Sequence, residues 1–311
     1  MDQRPVFVFA SHRSGSTLLG RILNCHPGLV VWGEHGGILN QLAALNVAAS
    51  SFGSLRQPLA ERGLERYVRE RGQLVFDPWK SPVDAAGLRD FTRAWMVRSF
   101  STALQPGQRW GFKEIRYGGE TITRFLLDLF PKGRFLVLRR GLVELCVSNI
   151  LAEWSISELS RMGTFETLAE AQAVVADGAY TLAAMDWRLE QTAQIAGWAA
   201  RTIWKHPMGS AIPGMFEFLG LGHNSETQIN VIRVISKAAG ETDKNLRLGM
   251  LDRAFIEALA PACLQAAQEA IGRNGLDRER LLRQGGRGQY CFLAGDHELR
   301  TSRLSSMGWA L

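Results

Sequence analysis

The chain has 311 residues, of which 46% are hydrophobic and 21% charged, an ordinary globular balance that argues against disorder and fibrous repeats. Its longest apolar stretches run to about ten residues where a membrane-spanning helix needs roughly 20, so no membrane span is expected. The net charge of +6 favours an anionic ligand, without choosing among nucleic acid, a membrane surface and a small phosphate compound. Met1-Asp2-Gln3-Arg4 lead straight into a strand-like run, which does not read as a secretory leader, and a cytoplasmic protein is expected. The four cysteines lie far apart and form no CxxC pair, so neither a zinc site nor a disulfide framework is expected.

Val6-Phe7-Val8-Phe9-Ala10 is a short apolar run between Pro5 and the polar loop Ser11 to Gly15, the pattern of a central parallel strand. Thr17 to Asn24 reads as a helix ended by Pro27-Gly28, and Leu29-Val30-Val31-Trp32 as a second strand followed by Gly33-Glu34. Residues 36 to 48 are helical, and about 50 to 87 mix helix and loop. Trp110-Gly111-Phe112 is a short strand. Ile122, Phe125, Leu126, Leu129 and Phe130 then mark an amphipathic helix stopped by Pro131. Phe135 to Leu138 is the strongest strand, running into Arg139-Arg140-Gly141 and a helix that carries Val143, Cys146, Val147, Ile150 and Leu151 on one face. Strand, loop and helix repeated in this way predict an α/β fold around a mainly parallel sheet. Residues 157 to 205 read as almost wholly helical, with no strand among them. Ile229 to Ile235 is ambiguous, and a helix is expected from about 251 to 272.

In an open parallel sheet ligands bind beyond the C-terminal ends of the strands, where three loops gather: Ser11 to Thr17, Gly33-Glu34, and Arg139 to Gly141. The first combines Gly15 with the hydroxyls of Ser14, Ser16 and Thr17 and the cation Arg13, and it opens onto a helix N-terminus. That is a cradle for phosphate or sulfate. It is not a Walker A loop, because Ala10 stands at the first glycine and Ser16 at the lysine. Without that lysine, ATP would lose a main counter-charge.

Ser11-His12-Arg13-Ser14-Gly15-Ser16-Thr17-Leu18-Leu19, followed by Leu23-Asn24-Cys25-His26-Pro27 and Glu34, resembles the first signature of sulfotransferases that use 3′-phosphoadenosine 5′-phosphosulfate (PAPS), the carbohydrate-type and bacterial members above all. Arg140 at a strand end, with Ser148 eight residues later on the next helix, resembles the second signature. Trp110 to Tyr117 is similar to the W-G-x-K-x-x-R-Y segment of many members. The three pieces span roughly the first half of the chain in matching order. Farther on, Phe216 to Leu221 resembles an F-L-G-L segment late in the fold.

The resemblance implies a P-loop-like three-layer fold forming a single domain over residues 1–311, with a helical insertion at about 155–210 that shapes the acceptor site. It implies PAPS as co-substrate and a hydroxyl, or in second place an amine, of a small molecule or carbohydrate as acceptor. Arg13, Ser14, Gly15, Ser16 and Thr17 would wrap the 5′-phosphosulfate, and Arg140 and Ser148 would hold the 3′-phosphate, an arginine fork matching phosphate oxygens in two places. Arg13 and Lys113 would stabilise charge in the transition state, and Glu34 would take the acceptor's proton, in a scheme that requires no metal. The anionic donor accounts for the basic charge, so no nucleic-acid partner is expected.

The pattern also departs from the family. Gly141-Leu142 replace an acidic-Pro pair, and Arg139 competes with Arg140, although the spacing to Ser148 favours Arg140. Glu34-His35 stand where Glu-Pro is common, which makes His35 a rival base. Arg283 to Tyr290 is offered as the segment closing over adenine. Plainer readings are an empty N-capped turn for the first loop, a snorkelling lysine for Lys113, and core or lid packing for Trp110, Trp154, Trp187, Trp198 and Trp204. Two other classes remain open: a P-loop nucleotide-dependent kinase or phosphotransferase, and a non-catalytic binder of phosphorylated or sulfated ligands.

Overall fold

The computed structural model describes residues 4–51, 85–150, 167–206, 208–222, 224–240 and 253–277. Five strands form one sheet in the order β2-β3-β1-β4-β5, and every neighbouring pair is parallel. They are β1 (Val6–Ala10), β2 (Leu29–Trp32), β3 (Arg109–Glu114), β4 (Arg134–Arg139) and β5 (Ala200–Trp204). The helices are α1 (Ser16–Leu23), α2 (Ile38–Ser51), α3 (Ala85–Ser101), α4 (Glu120–Leu129), α5 (Leu142–Ile150), α6 (Leu168–Ala196), α7 (Met208–Phe218), α8 (Ser225–Gly240) and α9 (Arg253–Asn274). No helix among the described residues is long and apolar enough to cross a membrane.

β1 lies at the centre because all five of its side chains are apolar and can be buried on both faces. Each contributes about 1.5–3 kcal/mol on full burial, alanine less. Alternation along the strands sends Phe7, Phe9, Phe112, Phe135 and Val137 toward α2, α3, α4 and α6. It sends Val6, Val8, Ala10, Leu136, Leu138 and Ile203 toward α1, α7 and α8. The result is three layers. A third cluster joins α5, α6 and α9 beyond the sheet edge. At Gly111 the β1 backbone approaches so closely that a Cβ would stand 2.4 Å from the Val6 carbonyl oxygen, so only glycine fits.

The expected helical stretch over 157–205 is corrected by the structure: α6 ends at Ala196, and Ala200–Trp204 forms the edge strand β5 beside β4. Within β5 only Ile203 is buried, so the sequence shows neither the unbroken apolar run of a central strand nor a clean alternation. The ambiguous run Ile229–Ile235 is helical, within α8. Trp110 is core, stacked on Phe100 with ring centroids 5.3 Å apart. Trp187, Trp198 and Trp204 are partly exposed, and Trp154 and Arg283 to Tyr290 lie outside the described residues.

Several motif residues turn out to build the frame. The Asn24 side chain accepts from the Val31 N–H (2.7 Å) and donates to the Val31 carbonyl (3.0 Å), fixing the path of β2. His26 Nδ1 accepts from the Gly28 N–H at 3.0 Å, so its Nε2 carries the proton and donates to the Gly222 carbonyl at 2.8 Å. Buried Arg109 donates to the carbonyls of Arg4 and Leu219, tying the F-L-G-L turn to the start of β3.

Candidate active site

At the C-terminal ends of the strands lies a cavity of about 360 Å³ lined by His12, Arg13, Gly15, Ser16, Thr17, Glu34, Ile115, Arg140, Ser148 and Lys205. The strand order lays these residues out in space. Glu34 follows β2 and Ile115 follows β3. His12 to Thr17 follow the central β1, Arg140 with Ser148 follow β4, and Lys205 follows β5.

The loop after β1 turns sharply. Arg13 has φ 58° and Gly15 φ 93°, left-handed values that cost little at glycine and strain an arginine. The Ser14 hydroxyl, fully buried, donates to the Ser11 carbonyl at 2.7 Å and closes the turn. Ser14 is therefore not in the lining, unlike its neighbours Arg13, Gly15, Ser16 and Thr17. Gly15 caps α1 without a side-chain hydrogen bond, and the first N–H groups of a helix have no partner within it. A helix start of this kind is suited to an anion.

Arg13 and Ser148, 135 residues apart in the chain, meet here: Arg13 Nε donates to Ser148 Oγ at 3.4 Å. Arg140 Nη1 donates to the Arg13 carbonyl (2.9 Å), and Arg140 Nε to Glu144 (3.1 Å). Arg140 thus holds the strained residue by its backbone. Its own hydrogen bond keeps the Glu144 carboxyl below the usual range. Arg139 points elsewhere. It grips Asp186 through two bonds (2.8 and 2.6 Å) and lies 5.0 Å over the Trp204 ring. The Asp186 bonds push its guanidinium up. Of the two arginines, Arg140 is the one that lines the cavity.

The opposite end is a charge network. Lys113 donates to Glu34 Oε1, and Arg116 Nη1 reaches both Glu34 Oε2 (3.1 Å) and Glu114 Oε1 (2.7 Å). Glu114 is fully buried and accepts N–H bonds from His35, Gly37, Ile115 and Arg116, pinning the loop after β2 to the end of β3. Burial would raise Glu34, but the bonds and charges of Lys113 and then Arg116 outweigh it and hold the carboxyl below its ordinary range. Lys113 lies beneath Glu34 and is not in the lining.

His35 packs edge-on among Phe100, Phe112 and Tyr117, with Nε2 2.8 Å from the Tyr117 hydroxyl. Burial pushes it down. It is not in the lining, and of the two rival bases only Glu34 faces the cavity. The first-loop His12, to which sequence reasoning gave no role, does line it. Burial, followed by the Arg116 charge, lowers its pKa to about 4, so the imidazole is neutral near pH 7. Arg116 and Lys205 were also missed. Arg116 stands inside the W-G-x-K-x-x-R-Y segment, where its position was a usable signal, whereas Lys205 was hidden by the helical reading of β5.

No curated protein matches the sequence. Among solved structures, the chain is similar to sulfotransferase STF9 from Mycobacterium avium at 14% identity, covering 85% of this chain and 76% of that one with a TM-score of 0.43. It is similar also to the sulfotransferase domain of the Synechococcus PCC 7002 olefin synthase, at 16% identity over 84% of this chain and 95% of that one, TM-score 0.42. A third is the sulfotransferase domain from the curacin biosynthetic pathway, at 17% identity over 86% and 97%, TM-score 0.41. The model of the Sulfotransferase family matches residues 5–196, more than half of the chain and every lining residue except Lys205. The chain belongs to the sulfotransferase family.

Proposed function

We propose that the protein moves a sulfuryl group from PAPS to a hydroxyl, or in second place an amine, of a small-molecule or carbohydrate acceptor. The observation that carries this reading is a single cavity joining a helix start whose glycine cap makes no side-chain hydrogen bond, the pair Arg140 and Ser148, and the carboxylate of Glu34.

The residues fit such a donor. Gly15, Ser16 and Thr17 offer N–H groups and hydroxyls at the start of α1, where a 5′-phosphosulfate would be held, with the Arg13 charge beside them. Arg140 and Ser148 would hold the 3′-phosphate. Bound there, the donor supplies a sulfuryl group activated by its link to phosphate.

Glu34 takes the proton of the acceptor hydroxyl. Lys113 and Arg116 keep it ionised well below neutral pH and fix its position. The same contacts make it a modest base, which suits a transfer in which positioning and electrostatic stabilisation supply most of the rate.

Calorimetric titration with adenosine 3′,5′-bisphosphate, AMP and ATP with magnesium tests the reading. Binding of the bisphosphate, weaker for AMP and about 100-fold weaker in Arg140→Ala, is expected. Preference for ATP with magnesium would turn the site into a phosphotransferase, and binding of none of them would remove the donor assignment.

A further inference from the structure

The loop after β1 lacks the lysine that a Walker A sequence carries, since Ser16 stands at that position. In space, however, the stem of a lysine lies over this loop. Lys205 follows β5, and its backbone N–H donates to the Arg139 carbonyl at 2.8 Å, which extends the β4–β5 pairing by one residue and fixes where the side chain departs. From that point the stem crosses the loop. Its Cδ and Cε lie 3.5 Å, and its Cγ 3.7 Å, from where a Cβ on Gly15 would stand. Because Gly15 has no side chain, the methylenes can cover it, and Lys205 enters the same cavity lining as Ser16 and Thr17.

We infer that Lys205 is a donor-phosphate-binding residue, delivered by strand β5 to the loop that lacks a lysine of its own. The inference rests on the donor reading above and extends it with a residue outside the matched family segment, which ends at 196. The charges around it agree. Arg13, Arg140 and Lys205 bring three cations to this side. The one carboxylate among the described lining residues, Glu34, sits at the other end, and Glu144, bonded to Arg140 and within reach of the Lys205 charge, lies outside the lining. An ammonium on a flexible stem adds a point charge to the phosphate group held by the loop amides, where an arginine fork would demand a fixed geometry.

The test is calorimetric titration of the full chain and three variants, Lys205→Met, Lys205→Arg and the exposed control Lys132→Met, with adenosine 3′,5′-bisphosphate and with AMP. Methionine keeps the stem on Gly15 and removes the charge. Lys205→Met should weaken both ligands by about 10- to 100-fold, the range of a charge-assisted hydrogen bond, and make binding less sensitive to salt. Lys205→Arg should recover most of the loss, and Lys132→Met should bind as the parent does. Unchanged binding in Lys205→Met overturns the inference, as does an unchanged salt dependence, which would mark a packing role. Weakening confined to the bisphosphate would place the lysine on the 3′-phosphate and overturn its assignment to the loop. Failure of the parent chain to bind either ligand would overturn the donor reading itself, and this inference with it.

Discussion

The two ends of the cavity are built on opposite electrostatic plans. Toward β2 and β3, Lys113 and Arg116 are matched by Glu34 and Glu114, in bonds that reach from the fully buried Glu114 to the solvent-exposed Glu34. Toward β4 and β5, Arg13, Arg140 and Lys205 face the cavity, and the carboxylate bonded to Arg140, Glu144, lies on the exposed side of α5. A balanced network holds one reactive group in one protonation state. An excess of positive charge holds an anion. On the proposed reading, the Glu34 end would carry the chemistry and the Arg140 end would bind the donor.

That division breaks most visibly at Glu34. Glu34→Gln keeps the shape and removes the base, so turnover with an acceptor found in a screen of hydroxyl compounds should fall by about 10² to 10⁴-fold. Loss of donor binding instead would mean that the two ends are not separate. Next in size is Arg140→Ala, which removes the hydrogen bond to the Arg13 carbonyl that organises the loop, together with the one to Glu144, and should weaken the bisphosphate by about 100-fold, read by calorimetry.

A smaller effect sharpens the account of the balanced end. Glu34 is held low chiefly by Lys113 against the opposing effect of burial. A carboxyl with a depressed pKa stays ionised as the pH falls, so the acid limb of the rate profile should lie below the ordinary carboxylate range. Lys113→Met should move that limb upward, leaving turnover at higher pH reduced less than at low pH. An unmoved limb would separate Lys113 from the ionisation of Glu34. The smallest change is at Ser148, whose hydroxyl is a neutral partner. Ser148→Ala should weaken the bisphosphate by about 2- to 12-fold.

How far the sequence disclosed this arrangement depends on where each residue stands in the sheet. β1, β4 and the loops after them were legible because central strands are unbroken apolar runs and such loops fall where ligands bind. Arg140 and Ser148, by contrast, were singled out by the resemblance to the second signature. The mainly parallel sheet followed from the strand–helix alternation, and the three layers from the family resemblance. β5 was not legible: an edge strand with one buried side chain leaves Ala200, Arg201 and Thr202 free of any hydrophobic pattern, and Lys205 was lost with it. Ser14 shows the complementary failure. Its residue type fits a phosphate loop, yet its hydroxyl is spent inside the turn, an outcome set by the left-handed backbone on either side. The contest between Glu34 and His35 was equally closed to one-dimensional reading, since it depends on an aromatic cage assembled from α3, β3 and the segment after it.

The division of labour can be read in one comparison: bisphosphate affinity of Glu34→Gln beside that of Arg140→Ala, both against the parent chain. Glu34→Gln should bind at least as tightly as the parent, because Lys113 and Arg116 lose a carboxylate partner, while Arg140→Ala should bind about 100-fold more weakly. Comparable weakening in both variants, or none in Arg140→Ala, would contradict it.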